Sequence, residues 1–317
     1  MPGTHSRRSY AVSCCRATFA VAFVALSGAA GAQQRMGQPA AAASDWSPVD
    51  DALGRKGAAQ PGDVMKYSFP RSDLQVVVAG VQLKPALALG SWLAFKRVAG
   101  GHVMAMGDLV LAEDEIGPVM RALQAGGVEQ TALHNHVLHE APHVMYMHIS
   151  AHGDAVKIAQ AVRTALAESH TPLGAPSAPA APGATDLDTA GIARALGVAG
   201  RLNGIVYQVS VPRRETIREG KYEIPPSMGV ATAINFQPTG GGKAAITGDF
   251  VMRGTEVNSV IRALQAGGVE VSALHSHMLA EEPRLFFMHF WANDDALRLA
   301  GVLHDALSQT ASVMPKH

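Results

Sequence analysis

Apolar positions along this chain change their spacing in a fixed order, and they do so twice. Residues 102–111, HVMAMGDLVL, form a nearly unbroken apolar run that predicts a buried strand. The stretch EDEIGPVMRALQAGG then sets Ile116, Val119, Met120 and Leu123 at helical spacing, and Gly126-Gly127 stop that helix. VEQTALHNH predicts a strand, Glu140-Ala141-Pro142 a loop and HVMYMHISA another strand. A final helix runs from Asp154 with Ile158, Val162 and Leu166 facing inward. The unit is β-α-β-β-α, preceded by further strand candidates such as LQVVVAGVQL and GSWLAFKRV.

The same order returns further on. RALQAGGVE stands at 121–129 and again, letter for letter, at 262–270, an offset of 141 that aligns much of the flanking sequence. Val257, Val260, Ile261 and Leu264 repeat the helical stripe. The expected fold is α+β: two tandem homologous β-α-β-β-α units, each a mainly antiparallel sheet backed by helices. Unit 1 is assigned to 45–169 and unit 2 to 187–311, joined by a Pro/Ala/Gly-rich linker over 170–186. That linker permits face-to-face packing with pseudo-two-fold symmetry.

The N-terminus carries a different signal. Arg7, Arg8 and Arg16 precede an apolar stretch that closes on Ala30-Gly31-Ala32, so residues 1–32 read as an export signal cleaved before Gln33. Residues 33–44 read as a disordered tail. SRRSY at 6–10 partly matches the twin-arginine signal, with the general secretory route as the default. The run is too short and too rich in Ala and Gly to span a bilayer, and no later stretch approaches the roughly 20 apolar residues required. A periplasmic or secreted protein is expected. Cys14 and Cys15 lie inside the signal and outside any lipoprotein setting, which leaves the mature chain without disulfides or thiolate ligands.

Composition narrows the function classes. The 317 residues are 48% hydrophobic and 16% charged, with 26 basic and 26 acidic side chains. This balance lacks the basic excess that binds nucleic acid.

The chemistry is concentrated in ALHNHVLHEAPHVMYMH, residues 132–148. Under the 141 offset His134, His136, Glu140, Pro142 and His148 fall on His275, His277, Glu281, Pro283 and His289, whereas His139, His143 and His152 become Ala280, Arg284 and Asn293. Residues two apart on a strand share a face. His134 and His136 therefore project together, His148 returns on the next strand and Glu140 lies between. Three imidazoles and a carboxylate per repeat suit a divalent transition metal: zinc first, with iron, manganese, nickel and copper as alternatives. The competing account is a hydrogen-bonded structural network, in which Glu140 orients an imidazole without touching an ion.

Other recurring residues carry plainer readings. Asp108 and Asp249 recur as MGD and TGD; they are read as caps for the following turn, with a fifth ligand or catalytic base as the alternative. Asp154 and Asp295 suit helix N-caps. The glycines of QAGGVE suit a helix stop rather than a phosphate cradle. Met145, Met147 and Met288 invite copper, but on a strand Met147 and Met288 point away from His148 and His289, toward a core. The motif of two alternating histidines followed by a glutamate also resembles the first cupin motif, although the third histidine comes too soon and a long helix precedes the motif.

The duplicated GD strand, the RALQAGGVE helix end, ALHNH and ALHSH, the E-P pair, the MH strand and the closing helix together resemble the LppY/LpqO family of exported bacterial proteins over most of residues 50–310. The resemblance implies export and a duplicated domain, and it implies no activity. The chain departs from the family in lacking a lipobox cysteine. The expected function is an exported metal-binding protein with one site per repeat, built from three histidines and a glutamate. The alternatives are a metal-dependent hydrolase acting on a small molecule, with Glu140 or Glu281 as the base, and a structural or partner-binding module without metal.

Overall fold

The first repeat builds a six-stranded sheet from β1 (Ala58–Gln60), β2 (Val64–Pro70), β3 (Gly90–Arg97), β4 (Val103–Ala112), β5 (Glu129–His134) and β6 (Val144–Gly153). The second builds its counterpart from β7 (Arg201–Asn203), β8 (Val206–Pro212), β9 (Ala231–Gly240), β10 (Lys243–Arg253), β11 (Glu270–His275) and β12 (Leu285–Asp295). The spatial orders are β1-β2-β3-β4-β6-β5 and β7-β8-β9-β10-β12-β11, and every pairing is antiparallel. Helices α1 (Ser47–Leu53), α2 (Ile116–Ala125) and α3 (Ala155–Leu166) accompany the first sheet. Helices α4 (Thr189–Leu196), α5 (Val257–Ala266) and α6 (Ala296–Leu307) accompany the second. This is an α+β fold of two homologous domains. It is seen in a computed structural model that describes residues 45–174 and 183–314. The expected export signal, the tail over 33–44 and the middle of the linker lie outside the described residues.

Helix faces explain the outer cores. Val119 and Leu123 of α2 and Ile158, Val162 and Leu166 of α3 pack on Leu109, Leu111, Met147 and Ile149 of the first sheet. Val260 and Leu264 of α5 and Leu299 and Leu303 of α6 do the same on Phe250, Met252, Met288 and Phe290. Asp154 and Asp295 cap α3 and α6 by accepting from the backbone N–H of Lys157 and Arg298 at 2.9 and 2.8 Å. Gly127 and Gly268, at φ +72° and +73°, stop α2 and α5 in the left-handed region that glycine enters without a Cβ clash.

The opposite faces of the two sheets are covered by each other's repeat. Ala94, Met104 and Met106 share a core with Val251, Leu285 and Phe287, and Val110, Val144 and Tyr146 share another with Val206, Ala245 and Trp291. Strand β4 is therefore covered on both faces, which is why its sequence is a continuous apolar run without alternation.

Two excursions depart from the expected strands. LQVVVAGVQL does not enter the main sheet; it folds into a hairpin of Val77–Val78 and Val81–Gln82, turning at Ala79 and Gly80. Glu140-Ala141, expected as a loop, pairs with that hairpin, Glu140 opposite Val78. In the second repeat Glu281-Glu282 likewise pairs with Ile217–Glu219.

Each repeat also contains a buried guanidinium clamp. Arg71 binds Glu115 at 2.7 Å, Asp73 at 2.8 Å and the carbonyl of Val110 at 2.6 Å. Arg213 binds Glu256 at 2.8 Å, Glu215 at 2.9 Å and the carbonyl of Val251 at 2.7 Å.

Candidate metal centre

The strand pairing brings the recurring chemistry to one place. His148 on β6 lies opposite Asp108 on β4, and His289 on β12 lies opposite Asp249 on β10, all within strands rather than at their ends. His134 and His275 are the last residues of β5 and β11, which stop two residues short of the expected end, so His136 and His277 sit just beyond. These strands form the edges of their sheets, and the edges meet. Thr131 donates its hydroxyl to the carbonyl of His277 at 2.6 Å, Asn135 donates its amide to the carbonyl of Ser272 at 3.1 Å, and Ser272 donates to the carbonyl of His136.

All six recurring histidines converge at that junction, and each imidazole has its nearest imidazole neighbour in the other repeat. His134 lies 3.7 Å from His275, His136 3.8 Å from His289 and His148 3.7 Å from His277, measured between ring centroids. Distances within a repeat are longer, 5.0 Å for His134 and His148 and 4.7 Å for His275 and His289. Tyr146 and Phe287, at matched positions, stack on His136 and His277 at 3.3 and 3.5 Å.

Donor atoms within 4.8 Å of one another define three overlapping groups among the described residues: His134, His136 and His289; His134, His148 and His275; and Asp249, His275 and His277. Asp108 joins them through His136, whose Nε2 is 3.6 Å from its Oδ2. The Nε2 of His277 is 2.9 Å from Asp249 Oδ2 but not aligned for a hydrogen bond.

Glu140 and Glu281 belong to none of these groups. Their backbones are committed to the side ribbons; the carboxylate of Glu281 serves the loop, and Oε1 of Glu140 is buried without a hydrogen-bond partner. Glu281 accepts from the backbone N–H of Leu285 at 2.8 Å and from Arg284 at 3.2 Å, and Glu140 lies 3.5 Å from His143. Asp108 and Asp249, which lie beside the imidazoles, carry the same recurrence signal in the sequence. The turn-cap expectation for them fails because the Gly-Asp pair, which resembles a strand end, falls inside a strand in both repeats. His152 lies outside the junction, paired with Glu219 at 3.0 Å.

Hydrogen bonds fix which nitrogens face the centre. Nδ1 of His134, His277 and His289 lies 3.1, 3.2 and 2.6 Å from the carbonyls of Asn135, Gly229 and Gly248. A ring nitrogen beside a carbonyl must carry the proton, so Nε2 is left as the lone-pair donor. These Nε2 atoms, those of His136 and His148, both nitrogens of His275, and Oδ1 of Asp108 and Asp249 are buried without hydrogen-bond partners.

Burial lowers the pKa of His134 to about 3, and it carries those of His136, His148, His275 and His289 below the ordinary value too. Lowered values favour the neutral imidazole, the form that binds a metal. Burial pushes Asp108 up to about 7. It acts the same way on Asp249, but the surrounding His289, His277 and His275 outweigh it and hold that carboxyl well below the usual range.

Residues 47–168 and 190–309 match the family described as Domain of Unknown Function (DUF1259), so the chain belongs to that family and carries two copies of its domain. No curated protein matches the chain. Among solved structures, a trimeric bacterial microcompartment shell protein, PduB, is 16% identical with a TM-score of 0.20, over 81% of this chain and 95% of its own. EtuB from Clostridium kluyveri is 10% identical with a TM-score of 0.19, over 80% and 91%.

Proposed function

We propose that this two-copy member of the DUF1259 family is an exported transition-metal-binding protein whose ligands are the six recurring histidines with Asp108 and Asp249. One observation carries the reading: nine buried nitrogen and oxygen atoms on these eight residues have no hydrogen-bond partner. An unpaired buried polar atom costs about 1–3 kcal/mol, so nine together rival the roughly 5–15 kcal/mol net stability of a domain. Bound ions, taking one lone pair from each imidazole and one oxygen from each carboxylate, would satisfy all but one of them. Neutral imidazoles and carboxylates suit zinc first, and iron, manganese, nickel or copper as alternatives.

Export rests on the basic, apolar and small-residue pattern of residues 1–32, and it agrees with the resemblance to the LppY/LpqO proteins. Among the described residues no helix is long and apolar enough to cross a membrane. A pseudo-two-fold axis between His134 and His275 relates the repeats; the matched separations of 3.8 Å for His136 and His289 and 3.7 Å for His148 and His277 support it.

Metal analysis of the full chain after exposure to zinc tests the proposal, with His134→Ala, His136→Ala, His275→Ala and His277→Ala as controls. Bound zinc that falls in the variants supports it. Equal and negligible zinc in all samples overturns it.

A metal-dependent hydrolase is the second reading, and Asp108 favours it. Its buried carboxyl, pushed up to about 7, is beside His136 and changes protonation near neutrality, as a general acid or base requires. Hydrolysis of an activated ester that requires zinc and is lost in Asp108→Asn supports this reading; none by the zinc-loaded chain rejects it.

A further inference from the structure

We propose that the two repeats exchange a ligand, so that each ion is held by the paired histidines of one repeat's edge strand and the central-strand histidine of the other. This rests on the metal reading above and goes beyond it by assigning every ligand to a particular ion. One site takes His134 and His136 with His289, and Asp108 beside them. The other takes His275 and His277 with His148, and Asp249 beside them.

The assignment follows from which nitrogens are free. His134 occurs in two of the donor groups, once with His136 and His289 and once with His148 and His275. Its Nδ1 is committed to the carbonyl of Asn135, so it has one lone pair and serves one ion. If that ion is the one shared with His136 and His289, the remaining histidines are His148, His275 and His277. Asp249 already lies within 4.8 Å of the last two, and His148 has its ring 3.7 Å from that of His277. This division uses each histidine once and leaves no ligand contested. The competing division, His134 with His148 and His275, leaves His136 and His289 with His277, which shares a donor group with neither of them.

Ring distances support the same answer. His148 is nearer to His277 of the other repeat than to His134 of its own, 3.7 against 5.0 Å, and His289 is nearer to His136 than to His275, 3.8 against 4.7 Å. The cause lies in the fold. His148 and His289 stand on the inner faces of facing sheets, and the bonds from Thr131 to His277 and from Asn135 to Ser272 pull each paired-histidine segment across the junction.

Paired substitutions separate exchange from the within-repeat arrangement. In the full chain, equilibrium dialysis against zinc with elemental analysis gives two ions per chain for the unaltered protein. His148→Ala with His277→Ala damages one site only and leaves one ion; His148→Ala with His136→Ala damages both and leaves none. The mirrored pairs behave alike: His289→Ala with His136→Ala keeps one ion, and His289→Ala with His277→Ala keeps none. Each pair removes two buried rings from the same cluster, so circular dichroism of the four variants checks that folding is equally affected, and glutamine at the same positions serves where alanine unfolds the chain. The reverse pattern, or equal loss in all four pairs, overturns the exchange while leaving metal binding intact. A single ion on the unaltered chain also overturns it. No zinc at all defeats the underlying metal reading.

Discussion

The ring of His134 lies flat against that of His275, centroids 3.7 Å apart and planes 22° apart, though the two residues occupy the same place in separate copies of the repeat. A duplicated position thus meets its own duplicate. The pair sits where two sheet edges cross, and a proton added to either ring sets a buried charge against its neighbour.

That crowding predicts acid sensitivity of the metal-free chain. Five histidines have folded pKa values below the ordinary 6.5, so the unfolded chain takes up protons first as pH falls. Their contribution is fully present above 6.5 and is lost progressively below it. Asp108, raised from 3.8 to about 7, works in the opposite sense, but it is one group against five. Urea midpoints of the metal-free chain should fall steeply between about pH 7 and pH 5, and the stabilisation by zinc should shrink over the same range as protons compete for the imidazoles.

The carboxylates should divide by role. Asp108→Asn and Asp249→Asn should each weaken zinc binding by roughly 10–100-fold in a chelator competition, whether the carboxylate touches the ion or orients an imidazole. Glu140→Gln and Glu281→Gln should leave zinc affinity within about 3-fold, and Glu281→Gln should lower stability by about 1 kcal/mol through its bond to Leu285. Equal loss of zinc affinity in the glutamate and aspartate variants would restore Glu140 and Glu281 as ligands.

The guanidinium clamps should matter for folding and not for zinc. Arg71→Met leaves the carboxylate of Glu115 buried beside the N–H groups of Ala112 and His170 without its counter-charge, which should cost about 3–5 kcal/mol in urea unfolding. Arg213→Met should cost less, because Glu256 is more exposed than Glu115, 14% against 3% of the side chain. Neither substitution should change the number of zinc ions bound by the folded chain.

Gly248 should tolerate substitution less well than its counterpart Gly107. A Cβ at Gly248 would lie 2.0 Å from the carbonyl oxygen of Ala233, against 2.7 Å from that of Trp92 at Gly107. Gly248→Ala should therefore destabilise by about 3 kcal/mol and Gly107→Ala by about 1 kcal/mol. Only the first should also weaken zinc binding, because the carbonyl of Gly248 holds Nδ1 of His289.

Much of this arrangement is legible in the sequence because it depends on local spacing. The stripes through Val119 and Leu123, the caps at Asp154 and Asp295 and the stops at Gly127 and Gly268 are set by neighbours a turn away. The six histidines declare themselves by recurring together. Three features do not show. Asp108 recurs with the histidines but reads first as a turn cap, because its strand is covered on both faces and the run around Gly107-Asp108 has no polar alternation to mark an inward carboxylate. Glu140 has convincing spacing, yet its backbone pairs with Val78, sixty-two residues earlier, a distant contact that no local pattern reports. The clamps on Arg71 and Arg213 leave a trace, Pro-Arg-x-acid at 70–73 and 212–215, but the guanidinium partners Glu115 and Glu256 lie far along the chain.

The bonds from Thr131 to His277 and from Asn135 to Ser272 have an implication for how such a chain changes over generations. With its edges stitched in the segments that carry the imidazoles, neither half is free to drift alone: a loss in one is felt in the other. A solitary copy would recover the same stitching only by embracing its own twin.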